Sequence, residues 1–466
     1  MVGNVVPEIP KPHVVVLPSP GMGHVIPMLE LAKRLVLHHA CHVTFIHITT
    51  EASATETHLL HSSKHLPLGL NVIDLPTADI SAVISDDTPT FSRLCINIRE
   101  NLSFLKSTLT KLQNPQSLIT DMFCTQAFDI CRELSIPAYI LCTTSAVFLA
   151  ASLFCLEIDC DVSSEFLHLP GCAPLRTEDL PFTNDGDFEW HSYHICRMPM
   201  AAGIFVNTWE DLEPIPVRAI REHPFYQRIR TPPVYSIGPL VKETEPVTKT
   251  GEECLAWLDK QPSGSVLFVA LGSGGNLCME QLTELAWGLE LSQQRFLWVV
   301  RTPTDVSKIG ANVNDPKSYL PEGFMERTKE LGMVVPSWAP QVLVLRHHST
   351  GVFLSHCGWN SVLESVSHGV PMITWPLYSD QRVNATLMAE DIGVAIKLAG
   401  EPGRKVIGRK EIERVVRAAM EGEEGKMMRG KVKNIKISAS KALDGGAGAS
   451  CFETLADIVD QWKTMG

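Results

Sequence analysis

Basic residues are in the minority in this 466-residue chain: 40 Lys and Arg stand against 52 Asp and Glu, a formal net charge of −12. That balance argues against a surface for nucleic acid or anionic membrane, so neither is expected as a partner. Paired cysteine spacing is also missing. The thirteen cysteines are odd in number and scattered, which reads as reduced thiols rather than a disulfide frame or a zinc site. Met1 to Pro12 lacks the charged start and apolar run of a secretory leader, and Trp462 to Gly466 carries neither a prenylation nor a retention signal. A cytoplasmic chain, acting as a monomer, is expected. The longest charge-free stretch, Pro137 to Leu156, could span a bilayer by length. The hydroxyls of Thr143-Thr144-Ser145 break it, however, into a short buried strand and a core helix.

What is present is a 45% hydrophobic composition and length enough for two or three domains. Strand and helix signals alternate as in an open parallel sheet. His13 to Leu17 is a β-branched strand, followed by Pro18-Ser19-Pro20-Gly21-Met22-Gly23-His24 and a helix from about Val25 to Leu37. Position 26 is isoleucine where a dinucleotide-binding Gly-x-Gly-x-x-Gly turn needs its third glycine, so that reading is weak. Strands follow at Val43–Thr49 and Leu70–Leu75, then one long helix over Thr90–Leu112. Ser117–Thr120 leads into Asp121, which places that carboxylate at a strand's C-terminal end, where ligand sites gather. Ala138–Cys142 and Gly203–Asn207 continue the alternation.

His168–Trp190 reads as a loop. It holds Asp185-Gly186-Asp187, and Asp159-Cys160-Asp161 lies shortly before it. Neither Asp-x-Asp pattern sits at a strand end, so solvated loop acids are preferred to a metal site and no metal is expected. Residues 1–240 form the first expected domain and the polar residues 241–253 a linker. Residues 254–444 form a second αβ domain, and residues 445–466 a closing helix after the Gly445-Gly446-Ala447-Gly448 hinge. In the second domain Ser273 lies in a glycine-rich turn between the strand Val266–Leu271 and the helix Met279–Leu291, a place for a phosphate or a plain tight turn.

The most informative stretch runs from Trp338 to Gln381. The strand ending at Phe353-Leu354-Ser355 turns at His356-Cys357-Gly358-Trp359 into a helix from Asn360-Ser361, whose free N–H groups and dipole suit a phosphate. Ser361 and Glu364, three apart, would by themselves also fit a capping box. Trp338 offers a stacking face, and Asp380-Gln381 place an acceptor and an amide side by side, as sugar hydroxyls require.

This stretch resembles the 44-residue signature of plant secondary-product UDP-glycosyltransferases. The resemblance implies that Trp338 stacks on uracil, that Ala339 and Gln341 reach the base, and that Glu364 holds the ribose. It implies further that His356, Asn360 and Ser361 hold the diphosphate, that Trp359, Asp380 and Gln381 face the sugar, and that Thr144 lies near it. Two Rossmann-like domains facing across a cleft, the GT-B type glycosyltransferase fold, are implied as well, with the last helix packing back on the first domain. Ala286 to Arg301 and Trp375-Pro376-Leu377-Tyr378 resemble the branch that includes hydroquinone, monolignol and coumarin glucosyltransferases. UDP-glucose is then the expected donor substrate, with no permanently bound cofactor, and a small phenolic hydroxyl the expected acceptor. Flavonoids, other alcohols or a different UDP-sugar are the alternatives, with a catalytically idle nucleotide-sugar-binding protein of the same fold behind them. Departures stand at Ala270-Leu271, where relatives usually carry Ser-Phe, at Asn276, and at Ser379-Asp380 in place of Ala-Glu.

Glucosyl transfer requires a base for the acceptor proton. His24 lies at the mouth of the first helix, whose positive end disfavours imidazolium, and Asp121 can accept from its other ring nitrogen. Phe123, Phe148, Phe182 and Trp190 are the expected apolar walls for a flat aromatic acceptor.

Overall fold

The computed structural model describes residues 11–61, 66–112, 114–155, 165–181, 186–243, 245, 248–305, 315–400, 406–446 and 448–465. It falls into two compact units. The first comprises Met1–Glu178, Phe182–Val241 and Lys441–Gly466, the second Asp179–Pro181 and Lys242–Ser440. No helix among the described residues is long and apolar enough to cross a membrane.

The first unit is built on β1 (His13–Leu17), β2 (His42–Ile48), β3 (Leu70–Leu75), β4 (Ser117–Asp121) and β5 (Ala138–Cys142). A two-stranded ribbon, β6 (Phe166–Leu167) and β7 (Leu175–Arg176), follows, then β8 (Gly203–Val206) and β9 (Val234–Ser236). The main sheet has the order β3-β2-β1-β4-β5-β8-β9 and is parallel throughout. Strands β4, β5 and β8 are buried at every position, as a sheet covered on both faces requires, which is why β5 and β8 read as continuous apolar runs. The core joins Val14, Val16, Phe45 and Ile119 of the sheet to Val25, Met28, Leu29, Ala32 and Leu35 of the helix Met22–His39. The C-terminal helix Ser450–Met465 enters the same core through Leu455, Ile458, Val459 and Trp462, one face at the helical i, i+3, i+4, i+7 spacing.

The second unit contains β10 (Val266–Ala270), β11 (Arg295–Val300), β12 (Gly332–Pro336), β13 (Thr350–Ser355), β14 (Met372–Thr374) and β15 (Ala395–Lys397). Their order is β12-β11-β10-β13-β14-β15, again all parallel. Phe268 and Phe353, register partners on β10 and β13, stack at 4.9 Å between centroids.

Three segments differ from the sequence reading. The expected helix Thr90–Leu112 is two helices, Thr90–Glu100 and Leu102–Lys111. At the break, the buried Asn101 amide donates to the Asn97 carbonyl (2.8 Å) and to Thr50 Oγ1 (3.2 Å), a side-chain bond that competes with the helical ladder. The expected loop His168–Trp190 contains β7 and the start of the helix Gly186–Arg197. That helix buries His191, His194 and Ile195, with Met198 just beyond its end completing an apolar face that lies mostly past the expected loop. The expected linker gives way at Lys249 to the helix Lys249–Leu258, which Thr248 Oγ1 caps by accepting from Gly251 N (3.2 Å).

Trp462 is fully buried and meets the Tyr139 ring edge-on at 5.5 Å. Trp462→Ala is expected to destabilise the first unit by ~3–5 kcal/mol, the usual result of removing a buried large aromatic. Urea unfolding of the full chain measures it, and an unchanged midpoint would show that the closing helix contributes nothing to that core.

Candidate active site

In the first unit, three strand ends converge. The turn after β1 leads through Gly21, at φ 108°, into the helix that carries His24 as its third residue. His24 Nδ1 lies 2.9 Å from Asp121 Oδ2 at the end of β4, and Thr143 Oγ1, just past β5, lies 3.2 Å from both atoms. The second carboxylate oxygen accepts from Ser19 Oγ (2.9 Å) and the Phe123 N–H (3.0 Å). Asp121 is wholly buried, whereas a quarter of the His24 side chain is exposed. Burial pushes the Asp121 carboxyl up, but the charge and hydrogen bond of His24, with the Phe123 and Ser19 donors, outweigh it and hold the group below its ordinary value. An ionised carboxylate at Nδ1 places the ring proton there and the lone pair on Nε2.

Phe123 stands edge-on to His24 at 5.5 Å and to Phe91 at 4.6 Å. His194 lies 5.9 Å from Phe123 and stacks on Trp190 at 6.1 Å, while Phe148 reaches His191 at 6.2 Å. Phe123, Phe148 and Trp190 therefore belong to one aromatic cluster, Trp190 from a helix and not from a loop. Phe182 lies outside the described residues, as do Asp159, Asp161 and Asp185. Asp187, the remaining acid of the two Asp-x-Asp patterns, accepts from Ser92 N (2.9 Å) and Ser92 Oγ (2.7 Å).

Sequence reasoning missed Phe91, His191 and His194; the i, i+3, i+4 spacing of residues 191, 194 and 195, one face of a helix, was the available signal for the two histidines. His194 Nδ1 lies 2.9 Å from Thr125 Oγ1, and burial lowers the ring's pKa to about 4. Glu213 was missed as well. Its carboxylate accepts from Ala146 N (3.0 Å) and Val147 N (3.1 Å), holding the helix Ala146–Cys155 directly after the buried Thr144. Burial pushes this carboxyl up to about 7.

In the second unit, the turn Gly272-Ser273 after β10 leaves Ser273 exposed, and Arg301 Nη1 donates to the Gly272 carbonyl (3.0 Å). The His356 ring occupies the space where a side chain at Gly272 or Gly358 would stand: a Cβ at either would come within 2.5 Å of it. Both positions accordingly require glycine. Burial lowers the His356 pKa to about 4, and among the described residues its Nδ1 has no hydrogen-bond partner. The helix Trp359–His368 begins one residue earlier than expected, with Trp359 buried at its first position. Gln341 Nε2 donates to Ser361 Oγ (2.9 Å) and Glu364 Oε2 (2.6 Å), so this amide joins the two halves of the stretch. Trp338 is 43% exposed, beside the buried Ala339.

Asp380 Oδ2 accepts from Asn384 Nδ2 at 3.0 Å. Gln381 departs from its expected double role: it is buried, and its Oε1 accepts from Leu377 N (2.8 Å) and Tyr378 N (3.1 Å). Only the donor half of the amide can then meet a sugar hydroxyl. Three turns at the C-terminal ends of these strands hold a non-glycine residue at positive φ: Ser337 (64°) after β12, Cys357 (65°) after β13 and Ser379 (57°) after β14.

Comparison with known proteins places this geometry. Residues 226–425 match the family model for UDP-glucoronosyl and UDP-glucosyl transferases. Anthocyanidin 3-O-glucosyltransferase 5 of Manihot esculenta is 42% identical over 473 residues, covering 97% of this chain and 96% of its own length. The chain belongs to the UDP-glycosyltransferase family. Hydroquinone glucosyltransferase of Rauvolfia serpentina is also 42% identical, over 97% of this chain and 98% of its own. Among solved structures, TcCGT1 in complex with UDP aligns at a TM-score of 0.89 and 42% identity, over 98% of this chain and all of that one. Phytolacca americana UGT2, complexed with UDP-2-fluoro-glucose and pterostilbene, aligns at 0.86 and 38% identity, over 98% and 100%. The protein is thus an enzyme, a plant family 1 UDP-glycosyltransferase of GT-B fold that takes a UDP-sugar as substrate and acts on small-molecule acceptors.

The neutral His356 of this UDP-glycosyltransferase has a consequence for acid stability. As the pH falls the unfolded chain protonates this ring near 6.5, whereas the folded chain does so only near 4. Stability is therefore level with respect to His356 above pH 6.5 and is lost between 6.5 and 4, by ~3 kcal/mol in all. His356→Gln should show a shallower loss over that window in unfolding curves recorded against pH; a loss parallel to the wild type would mean that the ring titrates normally in the folded state.

Proposed function

We propose that this enzyme transfers glucose from UDP-glucose, with inversion, to the hydroxyl of small phenolic acceptors of hydroquinone, phenylpropanoid or coumarin type. The observation that carries the reading is the 2.9 Å contact of His24 Nδ1 with a buried carboxylate of depressed pKa. A phenol at pKa ~10 lies only a few units above imidazole at ~6.5, so His24 Nε2 can take its proton during attack. Asp121 orients the ring and stabilises the imidazolium as it forms. Attack by the phenolic oxygen on the anomeric carbon displaces UDP and inverts that centre in one step. Phe123, with Phe148 and Trp190, supplies the apolar wall for the acceptor, in the domain of residues 1–240 closed by the helix of residues 445–466.

The second domain, residues 254–444, holds the donor in this reading. Trp338 stacks on uracil with its exposed face, Ala339 and Gln341 border the base, and Glu364 holds the ribose. Ser273, Asn360, Ser361 and a neutral His356 donate to the diphosphate together with the first N–H groups of the helix Trp359–His368, so charge on the departing UDP is stabilised by oriented donors and no metal is required. Asp380, the donor half of Gln381 and the Trp359 segment face the sugar. A flavonoid acceptor is the second reading, favoured by the anthocyanidin relative at the same 42% identity as the hydroquinone one.

His24→Ala is expected to lower kcat/KM for phenols by ~10²–10⁴-fold, the usual contribution of a positioned general base, with UDP affinity nearly unchanged. Turnover close to wild type would remove His24 from the base role. UDP-glucose should be preferred to UDP-galactose by roughly one to two orders of magnitude, since a buried sugar hydroxyl without its partner costs ~1–3 kcal/mol. Competition between the two donors, across a panel of phenols and flavonols, measures both this factor and the acceptor class; equal use of the two sugars would sink the Gln381 assignment.

A further inference from the structure

A second cluster of chemically capable side chains lies in the first unit, apart from the residues used above. His47 on β2 and Asp74 on β3 are register partners on adjacent parallel strands, and His61 is the last residue of the helix Ala54–His61. Asp74 Oδ1 lies 2.8 Å from His47 Nδ1 and 3.0 Å from His61 Nε2, so one carboxylate oxygen serves two imidazoles. The three donor atoms all fall within 4.8 Å of one another. Behind them stands a fourth group. The buried Glu56 carboxylate reaches to 3.6 Å from His47 Nε2, and that buried ring nitrogen has no hydrogen-bond partner among the described residues. The His61 side of the cluster opens to solvent through a surface hollow lined by Ala52, Ala54, Thr57, His58 and His61.

We propose that His47 Nδ1, His61 Nε2 and Asp74 form a binding site for a divalent transition-metal ion, zinc above all, with water in the fourth position. Two imidazoles and a carboxylate are a borderline ligand set suited to zinc and poorly suited to magnesium or calcium. Tetrahedral bonds of ~2.0–2.1 Å place ligand atoms roughly 3.4 Å apart. The present 2.8 and 3.0 Å separations must open slightly and the two ring nitrogens, now within 4.8 Å, settle near the same spacing, and the half-exposed Asp74 and His61 side chains can make that adjustment.

Glu56 completes the arrangement. With metal on Nδ1, the His47 proton must sit on Nε2, facing this carboxylate, the outer-shell partner that orients metal-bound histidines. The site is separate from the proposed chemistry, yet Glu56 Oε2 also accepts from Gly21 N (3.3 Å), in the turn that begins the His24 helix. Bound metal therefore stiffens the sheet edge beside that turn without entering the reaction.

Metal-free full-length protein at pH 7.5, titrated with zinc by calorimetry and with cobalt(II) by absorption, tests the site. One ion per chain at micromolar affinity or tighter is expected, with tetrahedral cobalt bands and no thiolate charge-transfer band, together with a rise in Tm. Asp74→Asn and His61→Ala should each weaken binding at least tenfold, and Glu56→Gln by ~10–100-fold. The Asp74 and His61 variants should keep wild-type UDP release in metal-free buffer. Absence of saturable binding, a thiolate band, or affinity unchanged in Asp74→Asn would each overturn the proposal. Because binding is read without turnover, none of these outcomes bears on the assignment of donor or acceptor.

Discussion

The first unit is arranged around one carboxylate with no access to water. An ionised group in that position costs several kcal/mol unless its oxygens are satisfied, and a single missing partner leaves an uncompensated charge. Asp121 meets the requirement with donors from three strand ends: Ser19 and His24 after β1, Phe123 after β4 and Thr143 after β5. The strands must therefore terminate in register, and the imidazole cannot rotate without exposing the charge. A histidine that a loop alone would leave mobile is held in one tautomer by the same contacts that make the buried charge tolerable.

The second unit solves a related problem by exclusion rather than by pairing. His356 is kept neutral because water is kept away from it, and the space it needs is made by two glycines from different strand-end turns, Gly272 and Gly358. Gln341 then fastens the turn after β12 to the helix after β13 through Ser361 and Glu364. Residues that occur far apart in the chain thus share one edge of one sheet, the edge at which parallel αβ folds collect ligands.

Much of this was legible in the sequence, for a physical reason. Strands buried on both faces are nearly uninterrupted apolar runs, so β1 and β5 could be read to the residue, and a strand-end Asp121 and a helix-start His24 followed from the same alternation. What could not be read depends on side chains bonding to backbone or to one another at long range. Asn101 breaks a helix that propensity would continue. Glu213 caps a helix 67 positions before it. The carbonyl of Gln381 ties its own loop and so halves the role that its position suggested. His191 and His194 were missed because the residues up to Trp190 were read as loop, so the helix whose buried face they form just beyond it had no visible start.

Ser337, Cys357 and Ser379 hold left-handed backbone without being glycine. Such residues cost of order 1–3 kcal/mol each and persist only where packing fixes them. In the proposed donor site their effect is thermodynamic: these turns are bent before any nucleotide arrives. Ordering a free loop costs ~1–2 kcal/mol per residue in entropy, a loss that would otherwise fall on the binding step. Donor association should accordingly carry a small conformational entropy change and depend mainly on stacking and hydrogen bonding, while the strain itself is carried as a standing reduction in the stability of the second unit.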